Sequence, residues 1–120
     1  MNGIAQIDTK LPSLNEYITE CRRNRYAANN LKRSLQDIIA IYIRDLPQFE
    51  KPVSIHFHWI EENRRRDLDN IAFAKKFILD ALVECGKLKD DSQKYVIGFI
   101  DTFEIGDWPS VIVDVKEVEA

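Results

Sequence analysis

Val53, Ile55, Phe57 and Trp59 alternate with Ser54, His56, His58 and Ile60, and no other stretch constrains the chain as tightly. Successive strand residues point to opposite faces, so a period of two describes a strand with one face buried. A one-sided sheet needs a cover. Between Asn29 and Arg44 the residues Leu31, Leu35, Ile38, Ile39, Tyr42 and Ile43 recur at three- and four-residue steps, which is the pattern of an amphipathic helix. Ile71, Ala74, Ile78, Ala81, Leu82 and Cys85 trace a second helix. Asp69 or Asn70 is its natural N-cap and Gly86 its stop.

The remaining segments fit around these. Residues 4–8 form a short β-like run, and Leu11 to Tyr17 read as a turn and entry loop in which Pro12 fixes one φ and Ser13 or Asn15 can cap a helix. Residues 94–103 are strand-like, with Tyr95, Ile97 and Phe99 on one face. A last strand covers 110–118 through Val111, Val113 and Val115, after a turn at Asp107-Trp108-Pro109. The order β, α, β, α, β, β predicts an α+β fold: one domain over residues 1–120, with two main helices packed on a small mixed sheet.

At 120 residues the chain suits one domain. Its 45% hydrophobic and 31% charged residues are those of an ordinary globular protein. No apolar run approaches the ~18 residues of a membrane span. The N-terminus lacks the basic flank and apolar core of a signal peptide, and Cys21 and Cys85 show no CxxC spacing. A cytoplasmic protein with reduced thiols is expected. The net charge of −3 argues mildly against a nucleic-acid binder, but the distribution argues for one. Arg22, Arg23, Arg25, Lys32 and Arg33 lie in a stretch without acids, and Arg64, Arg65 and Arg66 are consecutive. Local potential decides where a polyanion lands.

The string Arg64-Arg65-Arg66-Asp67-Leu68-Asp69-Asn70, with Asp90-Asp91 about twenty residues on, concentrates the chemistry. In an extended segment Asp67 and Asp69 point to one side while Leu68 turns inward as an anchor. Paired hard oxygen donors suit Mg²⁺, which keeps waters and substrate phosphate oxygens in its shell. Asp91 or Asp90 would complete the set, and clusters suited to zinc are missing. An isolated DxD is common, and Asp69 alone is explained as a helix cap; the combination of strings is what points to a metal. His56 and His58 share a strand face without a third ligand and read as sheet-surface residues. Trp59 and Trp108 read as core or dimer packing.

These strings, with Lys76-Phe77-Ile78-Leu79-Asp80-Ala81-Leu82, Gly86 and Asp90-Asp91-Ser92-Gln93, resemble the signature of the RusA-like Holliday junction resolvases. Pro12-Ser13-Leu14-Asn15-Glu16-Tyr17 resembles that family's N-terminal turn. The resemblance implies a Mg²⁺-dependent homodimeric endonuclease that cuts four-way DNA junctions by paired nicks in recombination and repair, often carried by prophages. By motif position Asp67, Asp69 and Asp91 match the family's metal-binding acids, and Lys76 its active-site lysine. The family's spacing puts that lysine four residues after the second aspartate, where this chain has Phe73. On a continuous helix at ~100° per residue, Lys76 returns to the Asp69 face one turn later, whereas Lys75 points about 120° away. Arg64, Arg65 and Arg66 are expected to hold phosphates, and Arg22, Arg23 and Arg25 to form a mobile DNA-facing loop. Asp80 is expected to pair with Lys76 at i,i+4. A less selective flap nuclease and a catalytically inactive junction-binding protein are the alternatives.

Overall fold

The alternating stretch forms a nine-residue strand at the centre of the fold. In chain order the elements are β1 (Asn2–Ile7), α1 (Leu14–Arg23), α2 (Arg25–Ile43), β2 (Val53–Glu61), α3 (Leu68–Ala72), α4 (Lys75–Glu84), β3 (Val96–Ile105) and β4 (Ser110–Glu117). The structure, a computed structural model, describes residues 1–118. The four strands make one mixed sheet in the order β1-β4-β2-β3. β4 pairs antiparallel with both β1 and β2, whereas β3 runs parallel to β2. A parallel neighbour requires a crossover, which here runs through α3 and α4. The result is the expected α+β domain.

One face of the sheet holds the core. Val53, Ile55, Phe57 and Trp59 of β2, Val111, Val113 and Val115 of β4, and Ala5 and Ile7 of β1 are buried together with Ile39 and Ile43 of α2 and Phe77, Ile78 and Leu82 of α4. Each large side chain buried in this way contributes about 1.5–3 kcal/mol. The other face carries the partly exposed His56 and His58 and the exposed Ile4 and Ile100. Helices α2 and α4 are the two main helices of the core; α1 has no wholly buried residue.

Five expectations change. The entry loop is helix α1, capped by Ser13, whose Oγ accepts the Glu16 N–H at 3.2 Å; Leu14, Tyr17, Ile18 and Cys21 recur at the three- and four-residue steps of an amphipathic helix, a period that the turn signals at Pro12 and Ser13 masked. Asn24 then caps α2, Oδ1 accepting the Ala27 N–H at 2.7 Å, so α2 begins at Arg25 and not near residue 29. Arg22 and Arg23 therefore end one helix and Arg25 starts the next, and the expected loop does not exist.

The helix expected over residues 71–85 is two helices. Tight i→i−3 bonds at Ala74, Lys76 and Phe77 separate α3 from α4. The bend brings Phe73 and Phe77 against Tyr17, with ring centroids 5.6 and 5.4 Å away. Finally, β3 starts at Val96, with an irregularity in the β2–β3 register that leaves Ile97 unmatched. Tyr95, Ile97 and Phe99 consequently do not share a face.

Candidate metal and nucleic-acid site

Asp67 occupies the N-cap position of α3 with extended backbone (φ −68°, ψ 151°) and makes no capping bond. Asp69 lies one step inside the helix, where its Oδ1 accepts the N–H of Asn70 at 3.0 Å. The helix begins between the two acids, so they do not sit on one extended segment, and neither Asp69 nor Asn70 is the cap. Leu68 is 57% exposed and does not anchor the turn inward. Both carboxylates are exposed, and among the described residues neither is in an ion pair, despite three adjacent arginines.

Arg66 explains part of this. Its Nη1 lies 3.3 Å from Glu61 Oε1, and its Nη2 donates to the Leu11 carbonyl at 3.1 Å. It ties the loop to the end of β2, so of the three arginines only Arg64 and Arg65 are exposed and free for a ligand. A cavity of about 380 Å³ opens here, lined by Glu61, Arg64, Arg66, Asp67, Phe103 and Glu104 among others. It sits at the carboxyl ends of the parallel strands β2 and β3, where sheets of this kind bind ligands. Burial raises the Glu61 carboxyl above its ordinary range, with Arg66 opposing the shift. Glu61 was legible as the next inward position after Trp59, an acid on a buried face.

Asp91 is not part of this corner. Its segment precedes β3, where the Val53 N–H donates to the Tyr95 carbonyl and Lys89 pairs with Glu50. That is the starting end of β2, whereas Asp67 follows its finish. A nine-residue strand separates the two ends by roughly 25–30 Å. Asp91 is exposed and its N–H donates to Asp90 Oδ1 at 2.8 Å. Accordingly, among the described residues no group of three acids, histidines or cysteines is placed to hold a metal. The expected gathering of Asp67, Asp69 and Asp91 does not occur within one chain.

The bend between α3 and α4 also removes the premise for placing Lys76 by helical angle. Lys76 is largely exposed and pairs with Asp80 at 3.5 Å, the expected i,i+4 contact. Lys32 approaches the same carboxylate at 3.6 Å. Lys75 turns toward the sheet instead, its Nζ 2.5 Å from Asp101 Oδ2 and over the Phe99 ring. Asp101 Oδ1 also accepts the Trp59 indole N–H at 2.9 Å. Asp101 was not a sequence candidate, because its two partners, Lys75 and Trp59, come from two other elements.

On the open face Thr102 Oγ1 lies 2.7 Å from His56 Nε2 and 2.5 Å from His58 Nδ1, while His58 Nε2 meets Glu104 at 2.9 Å. The histidines form a cross-strand polar network, in line with sheet-surface residues. Trp59 is buried as expected, whereas Trp108 is 63% exposed. Arg23 is engaged by Glu20 at 3.1 Å; Arg22 and Arg25 are exposed.

Compared with known proteins, the chain matches no family model and no curated protein. No helix among the described residues is long and apolar enough to cross a membrane.

Proposed function

We propose that the chain is a Mg²⁺-dependent, structure-selective DNA endonuclease that resolves four-way junctions by paired phosphodiester hydrolysis. The observation that carries this is the pair of exposed carboxylates of Asp67 and Asp69, in no ion pair among the described residues, beside the exposed Arg64 and Arg65, with Asp67 and Arg64 lining the cavity at the ends of β2 and β3. Carboxylates left unpaired next to arginines fit a cation site, and hard oxygen donors fit Mg²⁺. Bound there, the cation supplies activation of water and charge neutralisation at the scissile phosphate.

The chain's own groups do the rest. Arg66 and Glu61 fix the loop; Arg64 and Arg65 contact backbone phosphates. Lys76, exposed and held among the described residues by Asp80 of its own helix, is the lysine available to a phosphate, since Lys75 is committed to Asp101. Arg22 and Arg25, carried on helix ends, hold a DNA arm. Asp91 lies at the far end of β2, so a third carboxylate at this corner comes from a second copy. Paired nicks across a twofold junction call for a C2 homodimer in any case.

The test is cleavage of a synthetic four-way junction with Mg²⁺, using Asp69→Asn, Asp91→Asn and their mixture. Each variant alone is expected to be inactive. Mixed dimers hold one intact site if Asp91 acts in the partner, so single nicks return. A mixture that stays silent while the wild type cuts removes the shared site. Wild-type cutting confined to flaps supports the less selective nuclease, and Mg²⁺-independent binding without nicks the inactive junction binder.

A further inference from the structure

The cavity where β2 and β3 end has a lining of two kinds. Asp67 and Arg64 are groups that a cation and a phosphate use. Leu68, Ile71, Phe103 and Ile105 line the same space and have no part in that chemistry. In the parallel register Trp59 pairs with Phe103 and Glu61 with Ile105, so these side chains share the helix-covered face of the sheet. Leu68 is 57% and Ile105 48% exposed. A single apolar residue on a surface is ordinary. Two at one cavity, together with a half-buried Phe103, make an apolar patch rimmed by charge, which marks a ligand site.

Two polar groups stand among the apolar ones. Asn63 Oδ1 accepts the Arg65 N–H at 2.9 Å, which leaves its amide N–H₂ to donate. Glu61 meets Arg66 at 3.3 Å through one oxygen, and a carboxylate has about four lone-pair sites, so it can accept again. A donor, an acceptor and an apolar lining beside an arginine suit a particular ligand. A nucleobase has two apolar faces and a polar edge, and it is joined to a phosphate. An acyl chain would leave Asn63 and Glu61 unanswered, and a bare phosphate would leave Leu68 and Ile105 in water. The volume of about 380 Å³ is that of a small-ligand pocket, with room for a base and none for duplex. The base must therefore leave its stack to enter.

We infer that the cavity receives one unstacked base of a DNA strand whose phosphate meets Arg64 and Asp67, with Phe103, Ile71 and Ile105 against the ring and Asn63 and Glu61 at its edge. Proteins that take a base out of its stack read it in this way, between apolar side chains and through hydrogen bonds to its edge. The base pocket stands on its lining; that the base comes from DNA rests on the nuclease reading. Cleavage would then depend on which base lies beside the cut, through residues outside the cation site.

Methyl NMR of the full chain, labelled at leucine and isoleucine, tests it in Ca²⁺ in place of Mg²⁺. Titration with a single-stranded trideoxynucleotide to millimolar concentration is expected to give upfield ring-current shifts at Leu68, Ile71 and Ile105, and none at Ile4 on the far edge strand β1. The same sugar-phosphate chain without its bases is expected to bind without those shifts. Phe103→Ala should weaken the trinucleotide by about tenfold, the scale of one lost base stack, and leave the baseless probe unchanged. Ile105→Asn, at an exposed position outside the core, should act in the same direction, which guards against loss of fold in Phe103→Ala. Equal shifts from the two probes, the absence of any base-dependent shift, or variants that weaken both probes alike overturn the proposal. A free deoxynucleoside monophosphate that binds more tightly than the trinucleotide overturns the DNA source. Base-dependent shifts in a chain that leaves junctions uncut refute the nuclease reading alone, whereas junction cutting without such shifts refutes the pocket alone.

Discussion

The ammonium of Lys75 sits 2.5 Å from Asp101 Oδ2, and both side chains are only about one-fifth exposed. The pair joins the first turn of α4 to the edge strand. Because Asp101 also accepts the Trp59 N–H, its removal orphans two donors at once. Asp101→Ala is expected to lower stability by about 1–3 kcal/mol, more than Lys75→Ala does, and a double-mutant cycle in urea denaturation should return a coupling well above the experimental error. Additive single effects would show that the ion pair contributes nothing.

Lys76 is expected to behave in the opposite way. An exposed i,i+4 pair on one helix is worth about 0.3–0.5 kcal/mol, so Lys76→Ala leaves the unfolding midpoint almost unchanged. Junction cleavage should nonetheless fall by about a hundredfold, the lower end for loss of a positioned group that stabilises transition-state charge. If Lys76→Ala cuts normally and a Lys75 variant that still folds is inactive, the two lysines have exchanged roles.

Glu61 carries a pH signature. Burial raises its folded-state pKa above the unfolded value, so the folded protein binds the proton more tightly than the unfolded one. The destabilising contribution of the carboxylate is absent below the unfolded pKa and fully present above the folded one. Replacing it with the near-isosteric amide removes that dependence. Glu61→Gln is therefore expected to gain stability relative to wild type as pH rises from mildly acidic to neutral, seen as diverging urea midpoints. Parallel curves would mean that the Arg66 contact cancels desolvation, and divergence in the opposite sense that it outweighs it.

Asn24 sits at the joint between the two N-terminal helices, its side chain capping α2 on the Ala27 N–H. Asn24→Ala is expected to cost about 1 kcal/mol, with Asn24→Asp close to neutral. Amide hydrogen exchange should localise the loss to the first turn of α2, beside Arg25. Uniform loss of protection across the chain would show that the cap matters to the whole fold and not to this joint.

Gly86 has φ +75° and ends α4 with nothing near the position a Cβ would take. Gly86→Ala is expected to cost about 1 kcal/mol through backbone conformation alone, and Gly86→Asn less. Equal stability of all three would contradict the left-handed cap.

What the amino-acid order determined was local. The alternation from Val53 to Trp59 fixed a one-faced strand, the spacing from Leu31 to Ile43 fixed the helix over it, and Gly86 marked a stop that is present. Each depends on neighbours within a turn or two, where period and propensity act directly. The break at Phe73 and Ala74 was not legible, because it arises from packing Phe73 and Phe77 against Tyr17, a residue on another helix. That break sends Lys75 to the sheet and leaves Lys76 outside. The parallel pairing of β2 with β3 likewise carries Asp91 to the far end of the strand that Asp67 follows. Two motifs about twenty residues apart look close on the sequence, but a parallel crossover must return the chain to the end where the first strand began, and only the tertiary structure decides that separation.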